Sequence, residues 1–366
     1  MTLSTEACLQ ARKEKLCQRY PLPDSEALLI TKRSNLAYFN DFQGTSGSCL
    51  LWRQQLIFFT DPRYYSAACG QCYYDEIVCF EGAFDPFLTD FLKSRPIRVL
   101  HVEPSLTLEQ WQLWKENLSF LEIRPLVKPL AELRMIKDEL ELEEIRQSCA
   151  ISINAFEQLR PLLAPGMREE EIAAELEYRS RRLGARKMSF DTIVAAGPSS
   201  AVPHHQTGSA VVEQGDALLL DWGARKRYCS DMTRTFFLGE PDEELSRIYR
   251  TVLEAQLSAI EQLKPGVKLL DVDNAARSVI KSSGYAEFFG HGTGHSLGID
   301  IHEFPGISPR SAEVTAQPGM VLTIEPGIYL PGKGGVRIED LIVVHADRLE
   351  ILTAAMPKDY ESALLG

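Results

Sequence analysis

The sequence lacks the features that usually mark membrane proteins and nucleic-acid-binding proteins. It contains no apolar run of about 18 residues, the length that a membrane-spanning helix needs. It has no basic excess: 51 acidic side chains outnumber 39 basic ones, and the formal net charge is −12, which disfavours a phosphate backbone as partner. Residues 1–20 show no apolar stretch of the secretory-signal kind. We therefore expect a soluble cytoplasmic protein that binds neither membranes nor nucleic acid.

The cysteines do not form the pattern of a disulfide framework or of a zinc site. The eight are scattered between residues 8 and 229, whereas disulfide frameworks are dense in short secreted chains. Cys69 and Cys72 form a C-x-x-C pair. A zinc site would need a second such pair, and a redox role would need a thioredoxin-like setting. We expect two reduced thiols beside a helix or a turn.

Length and composition predict a globular protein of two domains. Apolar residues make up 45% and charged residues 25% of the 366 residues, which is ample for hydrophobic cores. Residues 1–133 mix short strands and helices, with a hairpin predicted over 48–59, and contain one of the seven histidines, His101. Residues 134–366 alternate amphipathic helices with strands, which is typical of α/β or α+β folds. The strands predicted in this second part are 190–196, 217–221, 233–237, 321–325 and 336–344.

Four acidic residues of the second part stand at the ends of apolar strands. They are Asp221, Asp231, Glu325 and Glu339. A carboxylate is costly to bury there unless it is paired or bound to a cation. Six of the seven histidines also follow residue 200. Oxygen and nitrogen ligands without cysteine suit manganese, cobalt, zinc or iron, so the pattern predicts a metal site.

The histidine-rich segment 291–302 differs from a thermolysin-type zinc helix. That helix carries H-E-x-x-H, whereas His302-Glu303 is followed by Phe304-Pro305, which lacks the second histidine and breaks a helix. The glycines predict a loop that enters a short strand at 297–301. His295 and His302 are seven residues apart and would face opposite ways on one strand. We expect one to bind metal and the other to face the substrate.

Six motifs, in family order over roughly the last 230 residues, resemble the metallopeptidase family of methionine aminopeptidase, Xaa-Pro aminopeptidase and Xaa-Pro dipeptidase (prolidase). They are Val202-Pro203-His204, Leu220–Ala224, Ser230–Thr235, His291–His295 with His302-Glu303, Ile324–Tyr329 and Gly335–Asp340. Ser34–Tyr38 and Thr60–Tyr65 resemble the creatinase-type N-terminal domain more weakly, which favours the proline-specific branch. The resemblance implies a pita-bread catalytic domain at 134–366, preceded by a smaller creatinase-like α/β domain at 1–133.

The resemblance also implies a role for each matching residue. Asp221 would bind one metal ion, and His295 and Glu325 would bind the other. Asp231 and Glu339 would bridge both, so that four carboxylates balance two divalent cations, with manganese as first choice. Further roles follow for groups around the metals: Glu325 as proton carrier to the leaving nitrogen, His204 and His302 as substrate-side groups, and Arg337, Tyr329 and His291 as residues that orient ligands or line the substrate site.

The implied activity is hydrolysis of the N-terminal Xaa-Pro bond of peptides through a hydroxide that bridges the two metal ions. Because an Xaa-Pro bond carries no N–H, an attack that needs only the carbonyl suits it. The first hypothesis is an Xaa-Pro aminopeptidase acting on peptides with proline second. The alternative is an Xaa-Pro dipeptidase with the same ligands, and further alternatives are a non-catalytic peptide-binding domain and a hydrolase of another substrate. The family also implies a homodimer.

Two details depart from the family pattern. Asp221 and Asp231 are ten residues apart, where the resemblance predicts eleven, and we expect the turn at 225–228 to absorb the difference. His204 is followed by a second histidine, His205. The order of Pro203 and His204 assigns the substrate-side role to His204 and leaves His205 as a solvated loop residue.

Overall fold

A computed structural model describes residues 5–126 and 129–365 of the chain. The chain separates into two units, Met1–Arg134 and Met135–Gly366. Within the described residues, no helix has the length and apolar character needed to cross a membrane.

The first unit is built on a six-stranded mixed sheet in the order β4-β3-β2-β1-β5-β6. The predicted hairpin is confirmed as β2 and β3, joined at Arg53 and Gln54, whose positive φ angles of 50° and 62° match the twist of the strands. Cys69 and Cys72 stand at the end of α3 as free thiols. The elements are α1 Thr5–Arg19, β1 Glu26–Ile30, α2 Arg33–Asn40, β2 Gly47–Trp52, β3 Gln55–Thr60, α3 Pro62–Gln71, β4 Glu76–Cys79, α4 Phe84–Lys93, β5 Val99–Val102, α5 Leu108–Asn117, β6 Glu122–Pro125 and α6 Pro129–Met135.

The second unit combines two larger sheets with two pairs of long helices. One sheet has the order β19-β11-β9-β8 and the other β13-β12-β14-β17-β18. The elements are α7 Glu139–Leu159, α8 Glu169–Arg182, β7 Lys187–Met188, β8 Ile193–Ala196, β9 Ala217–Trp222, β10 Ala224–Arg225, β11 Met232–Leu238, α9 Glu243–Gln262, α10 Leu269–Ser282, β12 Gly294–Ser296, β13 Glu303–Ile307, β14 Val321–Ile324, β15 Gly327–Leu330, β16 Gly334–Arg337, β17 Asp340–Val344, β18 Leu349–Ile351, α11 Tyr360–Ala363 and β19 Leu364–Leu365.

The two helix pairs are built alike, one for each sheet. α8 and α10 have 14 residues each and begin 100 residues apart, at Glu169 and Leu269. The amides of these two first residues donate to Ala210 O and Val314 O, both at 2.9 Å. α7 and α8 cover the sheet of β9 and β11, and α9 and α10 cover the sheet of β14 and β17. The second unit therefore consists of two similar halves, each a helix pair with its sheet, which form an internal repeat. The sequence does not reveal this repeat, because the two halves share little more than the spacing of glycines and apolar residues.

Three predicted strands differ in the structure. The strand predicted at 297–301 is wrong: β12 ends at Ser296, and 297–302 form the connection of a hairpin that returns as β13. The strand predicted at 336–344 is interrupted, because β16 pairs with β15 whereas β17 joins the other sheet beside β14. The strand predicted at 190–196 begins only at Ile193. In each case, hydrogen bonding to a strand that is distant in sequence determines which residues of an extended segment belong to a strand.

Candidate metal centre

Asp221 and Asp231 come from the antiparallel strands β9 and β11. Alternation along β9 sends Leu220 and Trp222 into the core beneath α7 and α8, so the side chain of Asp221 faces the opposite side. Asp231 immediately precedes β11. The connection between the two acids closes tightly, because a side-chain carbon on Gly223 would lie 1.9 Å from Ser230 O. Both carboxylates line one cavity, despite the short spacing.

His295 reaches this cavity from β12. The strand runs close to its neighbour: a side-chain carbon on Gly294 would lie 1.9 Å from Thr323 O, so only glycine fits there. The His295 amide donates to Thr323 Oγ1 at 3.0 Å. Its ring Nδ1 lies 3.1 Å from Ser296 O and donates to it, which leaves Nε2 as the ring nitrogen that can bind a metal ion. This Nε2 lies 3.4 Å from Asp231 Oδ2 and 3.5 Å from Glu325 Oε1.

Glu325 and Glu339 complete the set. Glu325 follows β14 directly, and its amide donates to Thr293 O at 2.8 Å. Glu339 lies between β16 and β17. Its amide donates to Thr233 O at 3.1 Å, and its Oε2 accepts from Thr233 Oγ1 at 2.8 Å. Strand ends from both halves of the repeat thus bring the acids together.

The resulting cavity has a volume of about 380 Å³ and is lined by all five side chains. Asp231, His295 and Glu339 each offer one ligand atom, and these atoms lie within 4.8 Å of one another. Burial, reinforced by the neighbouring carboxylates, raises the pKa of Asp231 and of Glu339 well above the usual range. Burial also raises the pKa of Asp221, although Arg337 opposes the shift.

The donor set fits divalent cations. Asp221 Oδ1 and Glu339 Oε1 are buried and have no hydrogen-bond partner among the described residues. A buried polar atom without a partner is costly. Four carboxylates facing one cavity are also mutually repulsive unless positive charge lies between them. Two divalent ions would satisfy the unpartnered oxygens and the surplus negative charge together.

Arg337, Tyr329 and His291 form a hydrogen-bonded chain that leads to Asp221. Arg337 donates through Nη2 to Asp221 Oδ2 at 2.7 Å and through Nη1 to the Tyr329 hydroxyl at 2.9 Å. His291 Nδ1 donates to Gly292 O at 2.8 Å, so its Nε2 accepts from the Tyr329 hydroxyl, also at 2.8 Å. Burial lowers the pKa of His291, which favours this neutral form, and raises the pKa of Tyr329 to about 12. Groups of this kind orient a metal ligand.

His204 and His302 also line the cavity. No hydrogen bond or ion pair joins either ring to another described residue. The ring of His302 stands edge-on to that of His295, with centroids 4.4 Å apart, because the β12–β13 hairpin brings the two together. The expectation that seven residues of separation would set them apart is therefore wrong. Apolar lining comes from Phe190, Ile193 and Ile301.

Sequence reasoning missed three charged residues that hold the walls of the cavity. On α10, the buried Asp273 accepts from Thr293 Oγ1 at 2.8 Å and from Arg277 Nε at 2.7 Å. Arg277 in turn donates to the carbonyls of Phe289 and His291. The third is Glu169 on α8, which is fully buried and lies 2.8 Å from His205 Nε2. The prediction of a solvated His205 is therefore wrong, since its ring is mostly buried against this acid.

Profiles of two known protein families match this chain. Residues 143–346 match the profile of metallopeptidase family M24, and residues 12–136 match that of the creatinase/prolidase N-terminal domain. A Pyrococcus furiosus Xaa-Pro dipeptidase is 40% identical over 255 residues, which are 69% of this chain and 73% of that protein.

Two solved structures resemble the whole chain. The structure of an Xaa-Pro dipeptidase from Bacillus anthracis superposes with a TM-score of 0.91 at 38% identity and covers 96% of this chain and 99% of that one. That of an X-Pro aminopeptidase from Thermotoga maritima has a TM-score of 0.86 at 36% identity, covering 93% and 99%.

Proposed function

Because the chain belongs to metallopeptidase family M24, we propose that it is an Xaa-Pro dipeptidase that uses two divalent metal ions. The observation that carries the proposal is the cavity in which four carboxylates and one imidazole face one another, with two buried oxygens left without partners. The dipeptidases of Pyrococcus furiosus and Bacillus anthracis support the dipeptide as substrate. We thus place the dipeptidase first, whereas the sequence alone favoured the aminopeptidase.

We assign the metal-holding role to Asp221, Asp231, His295, Glu325 and Glu339. Oxygen-rich ligation favours manganese, with cobalt, zinc or iron as alternatives. Bound there, the ions would supply Lewis-acid chemistry: they would polarise the scissile carbonyl and lower the pKa of water, so that it could lose a proton and attack that carbonyl. The protein's part is to fix these ligands: Arg337 holds Asp221, and Thr233 holds Glu339 by a hydrogen bond to one oxygen while leaving the other open.

Three side chains, one of them also a proposed metal ligand, act on the substrate itself. His204 and His302 have ring nitrogens that no described residue occupies, so they are available to donate to the substrate carbonyl and to the oxyanion that develops from it. Glu325, whose side chain is 19% exposed, opens to the cavity. We assign it the transfer of a proton to the departing proline nitrogen, which has no hydrogen of its own and leaves as an amine only when protonated.

The cavity suits a small substrate with an apolar ring. Its volume of about 380 Å³ is at the lower end of the range for small-ligand sites. Phe190, Ile193 and Ile301 provide an apolar wall against which a proline ring can pack. We propose that this wall selects proline.

A second function, the Xaa-Pro aminopeptidase, is favoured by the similarity to the Thermotoga maritima protein. A panel of Ala-Pro, Ala-Pro-Ala and Ala-Ala, assayed after chelation and again after manganese is restored, separates the two. We expect metal-dependent cleavage of Ala-Pro alone. Cleavage of the first bond of Ala-Pro-Ala would establish the aminopeptidase, and failure to cleave any Xaa-Pro bond with manganese, cobalt, zinc or iron would refute both.

A further inference from the structure

His205, the residue that follows His204, pairs with the fully buried Glu169. Glu169 is fully buried, and three donors share its carboxylate. Oε2 accepts from the Gly208 amide at 3.0 Å and lies 2.8 Å from His205 Nε2, and Oε1 accepts from the Ala196 amide at 2.8 Å. One carboxylate therefore ties the end of β8 to both ends of the segment 205–208.

The internal repeat shows that the fold does not need an acid at this position. The equivalent first residue of α10 is Leu269, which is fully buried and packs in the core of the second half. The backbone joint is the same in the two halves, since both residues donate their amides at 2.9 Å to the following loop. An apolar side chain thus suffices to close the joint. Burying a carboxylate there instead carries a desolvation cost, which the three donors offset.

The loop that Glu169 joins carries His204, one of the residues that line the cavity. The loop after β8 brings His204 to the cavity, while Val202, two residues earlier, remains 52% exposed and contributes little packing. On one side of His204, the carbonyl of Pro203 accepts a 3.3 Å hydrogen bond from Arg337 Nη1. On the other side, the His205 ring is fixed by Glu169. His204 is therefore held between the ligand network and the buried acid.

We propose that Glu169 and His205 are positioning residues that act on catalysis through His204, by fixing the backbone that aims its ring at the substrate. The inference rests on the proposed function, because it takes His204 as a group that contacts the substrate. It does not involve the metal ligands, so metal content serves as an independent reference.

The kinetic test is a double-mutant cycle with the manganese-loaded enzyme and Ala-Pro as substrate. His205→Ala should lower kcat/KM about tenfold to a hundredfold, since a displacement near 1 Å of a substrate-side group has effects of that order. His205→Gln, whose amide can still donate to Glu169, should recover most of the loss. In a His204→Ala background, His205→Ala should change kcat/KM by less than about twofold, because coupled residues are not additive. Bound manganese per chain should stay at the wild-type value throughout.

The second test needs no activity, so it separates failure of this inference from failure of the proposed function. Glu169→Leu copies the other half of the repeat, and hydrogen exchange should then accelerate at the Gly208 amide while the helix amides of α8 keep their protection.

His345→Gln is the matched control for His205→Gln in the kinetic test, since His345 Nε2 pairs with Glu350 at 2.7 Å outside the residues that line the cavity. It should leave kcat/KM unchanged.

Two results would overturn the proposal. One is a loss on His205→Ala that is as large without His204 as with it. The other is evidence that the pair does not fix the loop, either as wild-type kcat/KM in His205→Ala or as unchanged exchange at Gly208 in Glu169→Leu.

Discussion

The substitution Glu339→Gln should stabilise the metal-free protein. Its shape is conserved, so the amide oxygen can keep accepting from Thr233 Oγ1, as the carboxylate does at 2.8 Å, while the amide nitrogen takes the place of the unpartnered Oε1. A negative charge whose ligand atom lies within 4.8 Å of that of Asp231 is removed. At an effective dielectric constant of about 20, two unit charges at that separation repel by about 3 kcal/mol.

Proton uptake by the wild-type site relieves part of this repulsion, because the carboxyl pKa values are raised. We therefore expect a gain of about 1–3 kcal/mol for the variant in chelator, with Tm rising by roughly 2–4 °C per kcal/mol. With manganese bound, wild type should instead be more stable than the variant. It stabilises wild type by about 2.7 kcal/mol at a hundred times Kd, and it should stabilise the variant less, since one of its ligands is lost.

Differential scanning calorimetry with chelator and with manganese measures both effects. Glu313→Gln is the control: it neutralises an exposed acid and should shift stability by less than about 0.5 kcal/mol. A Glu339→Gln variant no more stable than wild type in chelator would refute the reasoning, because the carboxylates would then not repel one another in the folded protein.

Three further predictions concern residues around the cavity and remote from it. Asp273→Ala should weaken manganese binding about tenfold to a hundredfold in a metal titration, because Thr293, which leads into the strand of His295, loses its anchor on α10; unchanged affinity would contradict this. Lys137→Met should cost about 1–3 kcal/mol in urea unfolding, since the hydrogen bonds that the buried Nζ donates to Glu303 Oε2 at 3.3 Å and to Ser296 Oγ at 3.1 Å are lost, and a loss below about 0.5 kcal/mol would contradict it. Hydrogen bonds from Arg146 and His345 lower the pKa of Glu350 to about 2. The ionised Glu350 should therefore stabilise the fold fully above about pH 5 and progressively less as the pH falls toward 2. The difference in free energy of unfolding between wild type and Glu350→Gln should accordingly narrow on acidification. A difference that widens toward low pH would refute that assignment.

The long helices of the second unit could be predicted because their signals are local. α7 begins with a capping box in which Asp138 accepts from the amide of Glu141, and Glu141 accepts from the amide of Asp138. The strands β9 and β11 were equally visible as apolar runs. The strand assignments failed at 297–301 and 336–344, because there the partner strand decides the structure and the partner is distant in sequence.

The candidate ligands were recognisable as acids at strand ends and as family motifs. Their convergence on one cavity depends on two sheets that no local pattern relates, and their metal-binding roles remain predictions. Asp273 and Arg277 were missed because an acid and a base four residues apart on a helix usually form a solvent-exposed pair. The apolar residues Leu269, Val272 and Ala276 show, however, that Asp273 lies on the buried face. His205 was misjudged because its partner Glu169 lies 36 residues away.

Manganese reconstitution with simultaneous measurement of metal content and Ala-Pro cleavage tests the central claim most directly. The chelated protein should be inactive, and activity should rise with added manganese and level off at two ions per chain. Asp231→Ala, which removes a proposed bridging ligand, should bind fewer ions and remain inactive. Full Ala-Pro cleavage by the chelated protein, or two bound ions per chain with no cleavage of any Xaa-Pro peptide, would contradict the account.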